Sequence, residues 1–321
     1  MGRTISDQFM KELTNGKLNH FLKVVQNDDT LMLDLRGQSV TVYYRGGKIF
    51  SIKEKSRGLG GVYEFIPGDK KYRNYDSAPF KEIYLPSIEN GIKKQELEEY
   101  IAKFKYNIDI YFGDKKVDKR YSIENEIRQH LVRENNNTNS AYQTDYFILD
   151  TEYQTPKGKK FDIIAIEWEA TRESRSLKKY HPKLVVFELK YGNKALTGNS
   201  GIKSHLDDFD EFRKDENSVN EFREDMLKLL KQKRALGLIP YLKDTNKHQV
   251  ELKNLDHKVE FVFLMANYNI RSTLFKEIVQ ELKDCQNRDD FQMITANHLG
   301  YGLFKNKRLN QEEVLKILSS Q

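Results

Sequence analysis

Apolar and polar residues alternate along positions 31–53, which predicts three short antiparallel strands over 31–35, 39–44 and 48–52. Between them, Arg36-Gly37-Gln38 and Arg45-Gly46-Gly47 put glycine where a tight turn requires positive φ. Leu97, Tyr100, Ile101 and Phe104 fall on one side of a helix over 94–106. From residue 121 the order becomes helix, strand, strand, strand, helix. Ile123, Ile127 and Leu131 recur every four residues, the buried stripe of a helix that should end near Asn135-Asn136-Asn137. Strands follow at 146–153 and 161–168, joined by a hairpin turn at Pro156-Lys157-Gly158-Lys159, and then at 184–190. Gly198-Asn199-Ser200-Gly201 should introduce a helix running through Phe212, with Asn199 or Ser200 as its N-cap. Beyond it the pattern predicts a helix over 221–236, a strand over 259–265, a helix over 272–285, an irregular strand pair within 291–304 and a last helix over 311–318. These elements describe an α/β fold, a mixed central sheet flanked by helices, preceded by a mainly β accessory domain. The charged connector at 113–120 sets the expected boundary, with the accessory domain over 1–115 and the α/β domain over 116–321.

Composition narrows the class without supplying a function. With 321 residues, 38% hydrophobic and 12% aromatic, the chain can bury a sizeable core. A formal charge of +6 on 54 basic and 48 acidic residues permits a polyanionic partner but does not demand one. One cysteine, Cys285, excludes an intrachain disulfide and a Cys-rich zinc cluster, and the seven histidines show no His-x-x-x-His spacing. No run approaches the roughly 18 apolar residues of a membrane span, and the first residues lack the apolar core of a secretory signal. A cytoplasmic protein with no membrane partner is therefore expected.

The candidate chemistry sits on the apolar runs. Phe161-Asp162-Ile163-Ile164-Ala165-Ile166 carries an aspartate at its start, and Leu184-Val185-Val186-Phe187-Glu188-Leu189-Lys190 closes on Glu-x-Lys. Side chains on a strand repeat every two residues, so Glu188 and Lys190 share a face, and the unbroken run before them predicts a central, buried strand. Burying a carboxylate and an ammonium costs several kcal/mol unless partners or a metal compensate, which makes a site a reasonable account of their placement. Taken alone, a Glu-x-Lys at a strand end is most often an exposed ion pair. On the preceding helix, Glu124 lies about 60° from Ile127 and Glu126 about 100° away on the other flank, so Glu124 is the acid expected to look inward.

Helix acid, strand Asp and strand Glu-x-Lys, in that order, resemble the PD-(D/E)XK nuclease superfamily, the restriction-endonuclease-like fold. Ser122-Ile123-Glu124-Asn125-Glu126-Ile127 is similar to the helical acid motif of its Holliday-junction-resolvase and restriction-enzyme branches. The resemblance covers 121–213 well and the later elements only by order of type; the meander at 31–53 has no counterpart, and Phe161 stands where the family name has proline. The resemblance implies a nuclease in which Glu124, Asp162, Glu188 and Lys190 are catalytic. It implies Asp162, Glu188, Glu124 and the backbone carbonyl of Leu189 as ligands of Mg2+, with Mn2+ as a substitute. A divalent cation suits the chemistry, because it binds a phosphate oxygen, lowers the pKa of a bound water and offsets charge on the leaving oxygen.

For substrate contact, Lys203 and His205 fall on the helix after the Glu188 strand, and Lys157, Lys159 and Lys160 on the hairpin beside Asp162. Lys228, Lys231, Lys233 and Arg234 read as the wet face of their helix, with phosphate tracking as the functional alternative. The implied partner is nucleic acid, DNA ahead of RNA, because most of the similar families act on DNA. Two-fold pairing would suit a cut in both strands of a duplex, so a homodimer is a candidate assembly, although no coiled-coil signal is present. The alternative from another class is a non-catalytic nucleic-acid-binding or scaffold protein that keeps the nuclease fold.

Overall fold

The computed structural model describes residues 2–55, 62–73, 88, 93–137, 143–155, 157–171, 182–198, 201–239, 258–282, 291–296 and 300–319. Among these residues it is a mixed α/β structure with two sheets. The chain divides into two compact units, Met1–Arg133 with Lys228–Lys243, and Glu134–Leu227 with Asp244–Gln321. No helix among the described residues is long and apolar enough to cross a membrane.

In the first unit, α1 (Asp7–Thr14) and α2 (Asn19–Gln26) precede β1 (Leu31–Leu35), β2 (Ser39–Tyr44), β3 (Gly47–Glu54) and β4 (Tyr63–Pro67), an antiparallel meander in the order β1-β2-β3-β4. Then come α3 (Lys70–Arg73), α4 (Lys94–Gly113) and α5 (Arg120–Val132). Neither short N-terminal helix nor β4 was expected from the pattern. The start of α1 is fixed by Ser6, whose Oγ accepts from the Phe9 N–H at 3.0 Å, and its buried residues are Phe9 and Leu13, four apart. α4 continues past the expected residue 106 because Asn107, Ile108 and Tyr111 prolong its buried stripe. Aromatic rings fill the space between α4 and the sheet: Tyr100 meets Phe65 edge-on at 5.0 Å, and Phe50 stacks on Phe65 at 4.9 Å.

The β2–β3 connection is a two-residue turn, Tyr44 pairing with Gly47, with φ of 48° at Arg45 and 72° at Gly46. Both central residues are left-handed, the geometry that matches the twist of a hairpin. The turn also seats α5. The Gly46 N–H donates to Gln129 Oε1 at 2.7 Å, and a Cβ at Gly46 would lie 2.4 Å from the Asn125 carbonyl carbon. Gly46→Ala must therefore displace backbone and adopt a strained φ, and a loss of about 3 kcal/mol is expected. The urea midpoint checks this; an unchanged midpoint would mean that α5 moves aside at no cost.

The second unit is built on a six-stranded sheet. β5 (Tyr146–Gln154), β6 (Lys160–Glu167) and β7 (Lys183–Tyr191) are antiparallel neighbours. After β7 come α6 (Ile202–Lys214) and α7 (Glu216–Ala235), then β8 (Val259–Ala266), α8 (Thr273–Glu281), β9 (Gln292–Ala296), β10 (Leu309–Asn310) and α9 (Gln311–Ser319). The strand order is β10-β9-β8-β7-β6-β5, with β7, β8 and β9 parallel. β7 is central, and residues 184–190 are all buried, as its unbroken apolar run requires. α6 packs by its phenylalanines: Phe209 stacks on Phe261 at 4.7 Å, and Phe212 meets Phe161 at 5.1 Å. α6 begins at Ile202 with Gly201 as its cap. The expected caps Asn199 and Ser200 lie outside the described residues, as do Pro156 of the hairpin turn and Cys285.

Of the strand pair expected within 291–304, the described residues show β9 over Gln292–Ala296, and its antiparallel neighbour β10 lies beyond that range. The backbone near residue 303 is satisfied elsewhere: the Leu303 N–H donates to Asn135 Oδ1 at 2.9 Å, and its carbonyl accepts from the Asp145 N–H at 2.9 Å. Asn135 and Asn136 sit in a π-helical turn, Arg133–Asn137, that follows α5. Asn136 bonds both backbone groups of Ile148, donating to the carbonyl at 2.6 Å and accepting from the N–H at 2.9 Å. Its amide thereby serves as a one-residue strand on the open edge of β5.

The part of α7 from Lys228 onward belongs to the first unit. Gln232 bonds the Ile5 N–H at 2.9 Å and the Ile5 carbonyl at 2.7 Å. Lys233, expected on the wet face, is buried instead, with Nζ 2.9 Å from the buried Asp34 of β1.

Candidate active site at the end of the central strand

Glu188 and Lys190 occupy the carboxyl-terminal end of β7, where ligands commonly bind in α/β sheets. Both are buried, and Lys190 Nζ donates to Glu188 Oε1 at 2.9 Å. Asp162 reaches the same place by a break in the ladder. The β6–β7 register runs from Glu167↔Lys183 to Ile163↔Phe187 and stops there. The next N–H on that side, from Leu189, donates to Asp162 Oδ2 at 3.0 Å, so a side-chain carboxylate replaces a backbone carbonyl as acceptor. Asp162 is thereby held against the residue between Glu188 and Lys190.

A fourth group comes from α6. Ile202, Leu206 and Phe209 form the buried stripe of that helix, and His205 flanks it with Nε2 3.0 Å from Glu188 Oε1. Lys190 and His205 thus converge on one carboxylate oxygen. On the neighbouring strand, Glu188 and Lys190 pair in register with Phe263 and Met265 of β8. The carboxyl ends of the two parallel strands are tied by the Gly192 N–H, which donates to the Ala266 carbonyl at 2.9 Å. Asn267, just past β8, has a left-handed φ of 48°.

Among the described residues, no three His, Cys, Asp or Glu side chains gather as a metal-binding group. Magnesium is commonly held by one or two carboxylates, the remaining positions being water and substrate phosphate. Asp162 and Glu188 supply two hard oxygen donors of that kind, bracketing Leu189, so the donor chemistry fits such an ion.

Glu124 belongs to the first unit, on α5, with its carboxylate 3.9 Å from Arg128 Nη2. Its side chain is 28% exposed against 17% for Glu126, the reverse of the helical-wheel expectation. The reason lies in the β2–β3 turn, where Arg45 Nε reaches over to Glu126 at 2.6 Å. Lys203 and Lys160 are exposed on α6 and at the start of β6. The other two lysines of the hairpin are engaged by acids: Lys157 with Asp215, and Lys159 with Asp208 and with Glu211, the last at 2.8 Å. The spacing of charged residues contains no signal for these pairings, nor for the Asp162–Leu189 bond or the His205–Glu188 contact, which depend on how the sheet and α6 meet.

Hydrogen bonds from Lys157 and Ser218 hold the Asp215 carboxyl down to about 2. A carboxyl lowered on folding adds stability above its unfolded value, ordinarily 3.8, and loses that contribution as pH falls through the folded value. The expected result is a carboxyl titration by NMR with a midpoint near 2 for Asp215, returning towards the ordinary aspartate range in Lys157→Ala. Equal midpoints in the two proteins would show that the hairpin tether is absent in solution.

No family model, curated protein or solved structure matches the chain.

Proposed function

We propose that this protein is a metal-dependent nuclease with a restriction-endonuclease-like second unit, hydrolysing phosphodiester bonds, with DNA as the substrate. The observation that carries the reading is the Asp162 carboxylate bonded to the Leu189 N–H between the buried Glu188 and Lys190. Asp162 comes from an earlier strand to the Glu188–Lys190 pair at the end of a central strand, in the order of the nuclease motif. Asp162 and Glu188 are the proposed holders of Mg2+ or Mn2+, which when bound supplies Lewis acidity towards a phosphate oxygen and a more acidic water.

Lys190 is assigned the reacting side of the site. Its ammonium, 2.9 Å from Glu188, is suited to stabilise the negative charge that grows on the phosphoryl oxygens and to orient the attacking water. In the absence of a bound cation, Lys190 and His205 compensate the buried charge of Glu188.

The test is cleavage of plasmid, linear duplex and single-stranded DNA, and of RNA, with Mg2+ or Mn2+ and with chelator. Cutting should require the cation and disappear in Asp162→Ala, while Glu124→Gln reports whether the helix acid contributes. Equal cutting by wild type and Asp162→Ala would remove the site assignment. Nucleic-acid binding without cutting under any cation would favour the non-catalytic binder.

A further inference from the structure

We propose that His205 is a positioning residue that acts through Glu188, and not a contact to the nucleic-acid substrate. The inference rests on the nuclease reading above. Nε2 lies 3.0 Å from Glu188 Oε1, and at that distance an unprotonated nitrogen would turn its lone pair on a carboxylate lone pair. Nε2 therefore carries the hydrogen and donates it. Lys190 Nζ donates to the same oxygen at 2.9 Å.

The two donors differ in what holds them. Lys190 stands on the same strand as Glu188, so their pairing alone lets the two side chains move together about β7. His205 stands on α6, whose position is set by Phe209 stacked on Phe261 and by Phe212 against Phe161. The imidazole thus ties the Glu188 carboxylate to a packed helix and fixes one orientation of it. A carboxylate that must meet a cation gains from such outer support, the loss of which typically weakens metal binding by about 10- to 100-fold. His205 is half-buried beside Leu206 and Ile202, its ring engaged with the protein at Nε2, whereas Lys203 two residues earlier is exposed and better disposed towards a polyanion.

The experiment measures Mn2+ binding directly, by the spectroscopic signal of free Mn2+, in wild type, His205→Ala, His205→Gln and Glu188→Gln, without nucleic acid. His205→Ala should weaken Mn2+ binding by about 10-fold or more, and His205→Gln, which keeps an N–H donor, should recover most of that loss. In cleavage assays His205→Ala should lower kcat and leave KM for DNA unchanged. Unfolding curves of both variants guard against a folding defect, and rescue by glutamine separates positioning from mere packing. Mn2+ binding unchanged in His205→Ala with a raised KM for DNA would overturn the proposal in favour of substrate contact. Wild type that binds Mn2+ no better than Glu188→Gln, and cuts nothing, would remove the nuclease reading and this inference with it.

Discussion

Lys190→Ala is expected to lower cation-dependent cleavage by about 10³-fold, the scale seen when a preorganised donor is removed from a developing oxyanion. The reason is placement. Lys190 is buried on a central strand, 2.9 Å from Glu188, so no neighbouring lysine can slide into its position and bulk water cannot replace it. Lys190→Arg should recover little, because a planar guanidinium carries its charge farther along the stem and cannot reproduce the compact ammonium beside Glu188. The same substitution carries a folding cost. Glu188 loses a group that compensates its charge, and a loss of about 3 kcal/mol is the expected scale for breaking such a buried pair. Cleavage rates and urea unfolding of the same preparations separate the two effects. Lys190→Met with near wild-type cutting would mean that the reacting phosphate lies elsewhere.

Arg308→Met should destabilise the second unit by about 3–5 kcal/mol. Arg308 Nη2 donates to Glu167 Oε2 at 2.7 Å, and Nη1 bonds Glu260 and reaches Gln292 Oε1 at 3.2 Å. Its guanidinium also lies 5.2 Å from the centre of the Tyr146 ring. Glu167 and Glu260 end up close together at the end of the sheet remote from Glu188, and Arg308 is the group that bridges them. Lys305 Nζ stays with Glu167 at 3.1 Å and Lys183 Nζ with Glu260 at 2.9 Å, but neither reaches both acids. Burial pushes the Glu260 carboxyl up, yet its bonds to Lys183 and Arg308 outweigh this and hold it below the ordinary glutamate value. Without Arg308, Lys183 alone offsets the burial of Glu260, and the Glu260 carboxyl should move up from its lowered value. Wild type loses the contribution of the lowered carboxyl as pH falls, so the variant's deficit should be largest near neutral pH and shrink as pH falls below about 5. A deficit under about 1 kcal/mol at neutral pH, or one that does not change with pH, would show that the network is incidental.

The parts of the fold that could be read from the chain are those in which one short segment contains its own reason. The turns at Gly37 and Gly46 and the apolar run of β7 are of this kind. α1 had a readable signal in Ser6 followed by Phe9 and Leu13, but two turns of helix give too short a period to stand out. Other features depend on partners far along the chain. Asn135 and Asn136 look like a helix terminus, yet their amides complete the backbone of Leu303 and Ile148. Lys233 looks solvated until Asp34 is placed beside it. Within the candidate site, the face shared by Glu188 and Lys190 follows from strand alternation, whereas the seat of Asp162 at Leu189 depends on where the β6–β7 ladder stops. Local composition does not encode that stopping point, because it is a property of two strands at once.

The return of α7 to the first unit sets a schedule for the nascent chain. Gln232, which bonds Ile5, leaves the ribosome 227 residues after it, and Lys233 follows Asp34 by 199. At ordinary elongation rates that is a wait of about ten seconds or more. During this interval the N-terminal meander has been made but lacks the ammonium of Lys233 beside Asp34, and the strands of the second sheet up to β7 emerge in the meantime. Co-translational folding of the first unit therefore cannot finish in chain order, and a ribosome stalled before residue 228 should carry an N-terminal segment that proteases still cut.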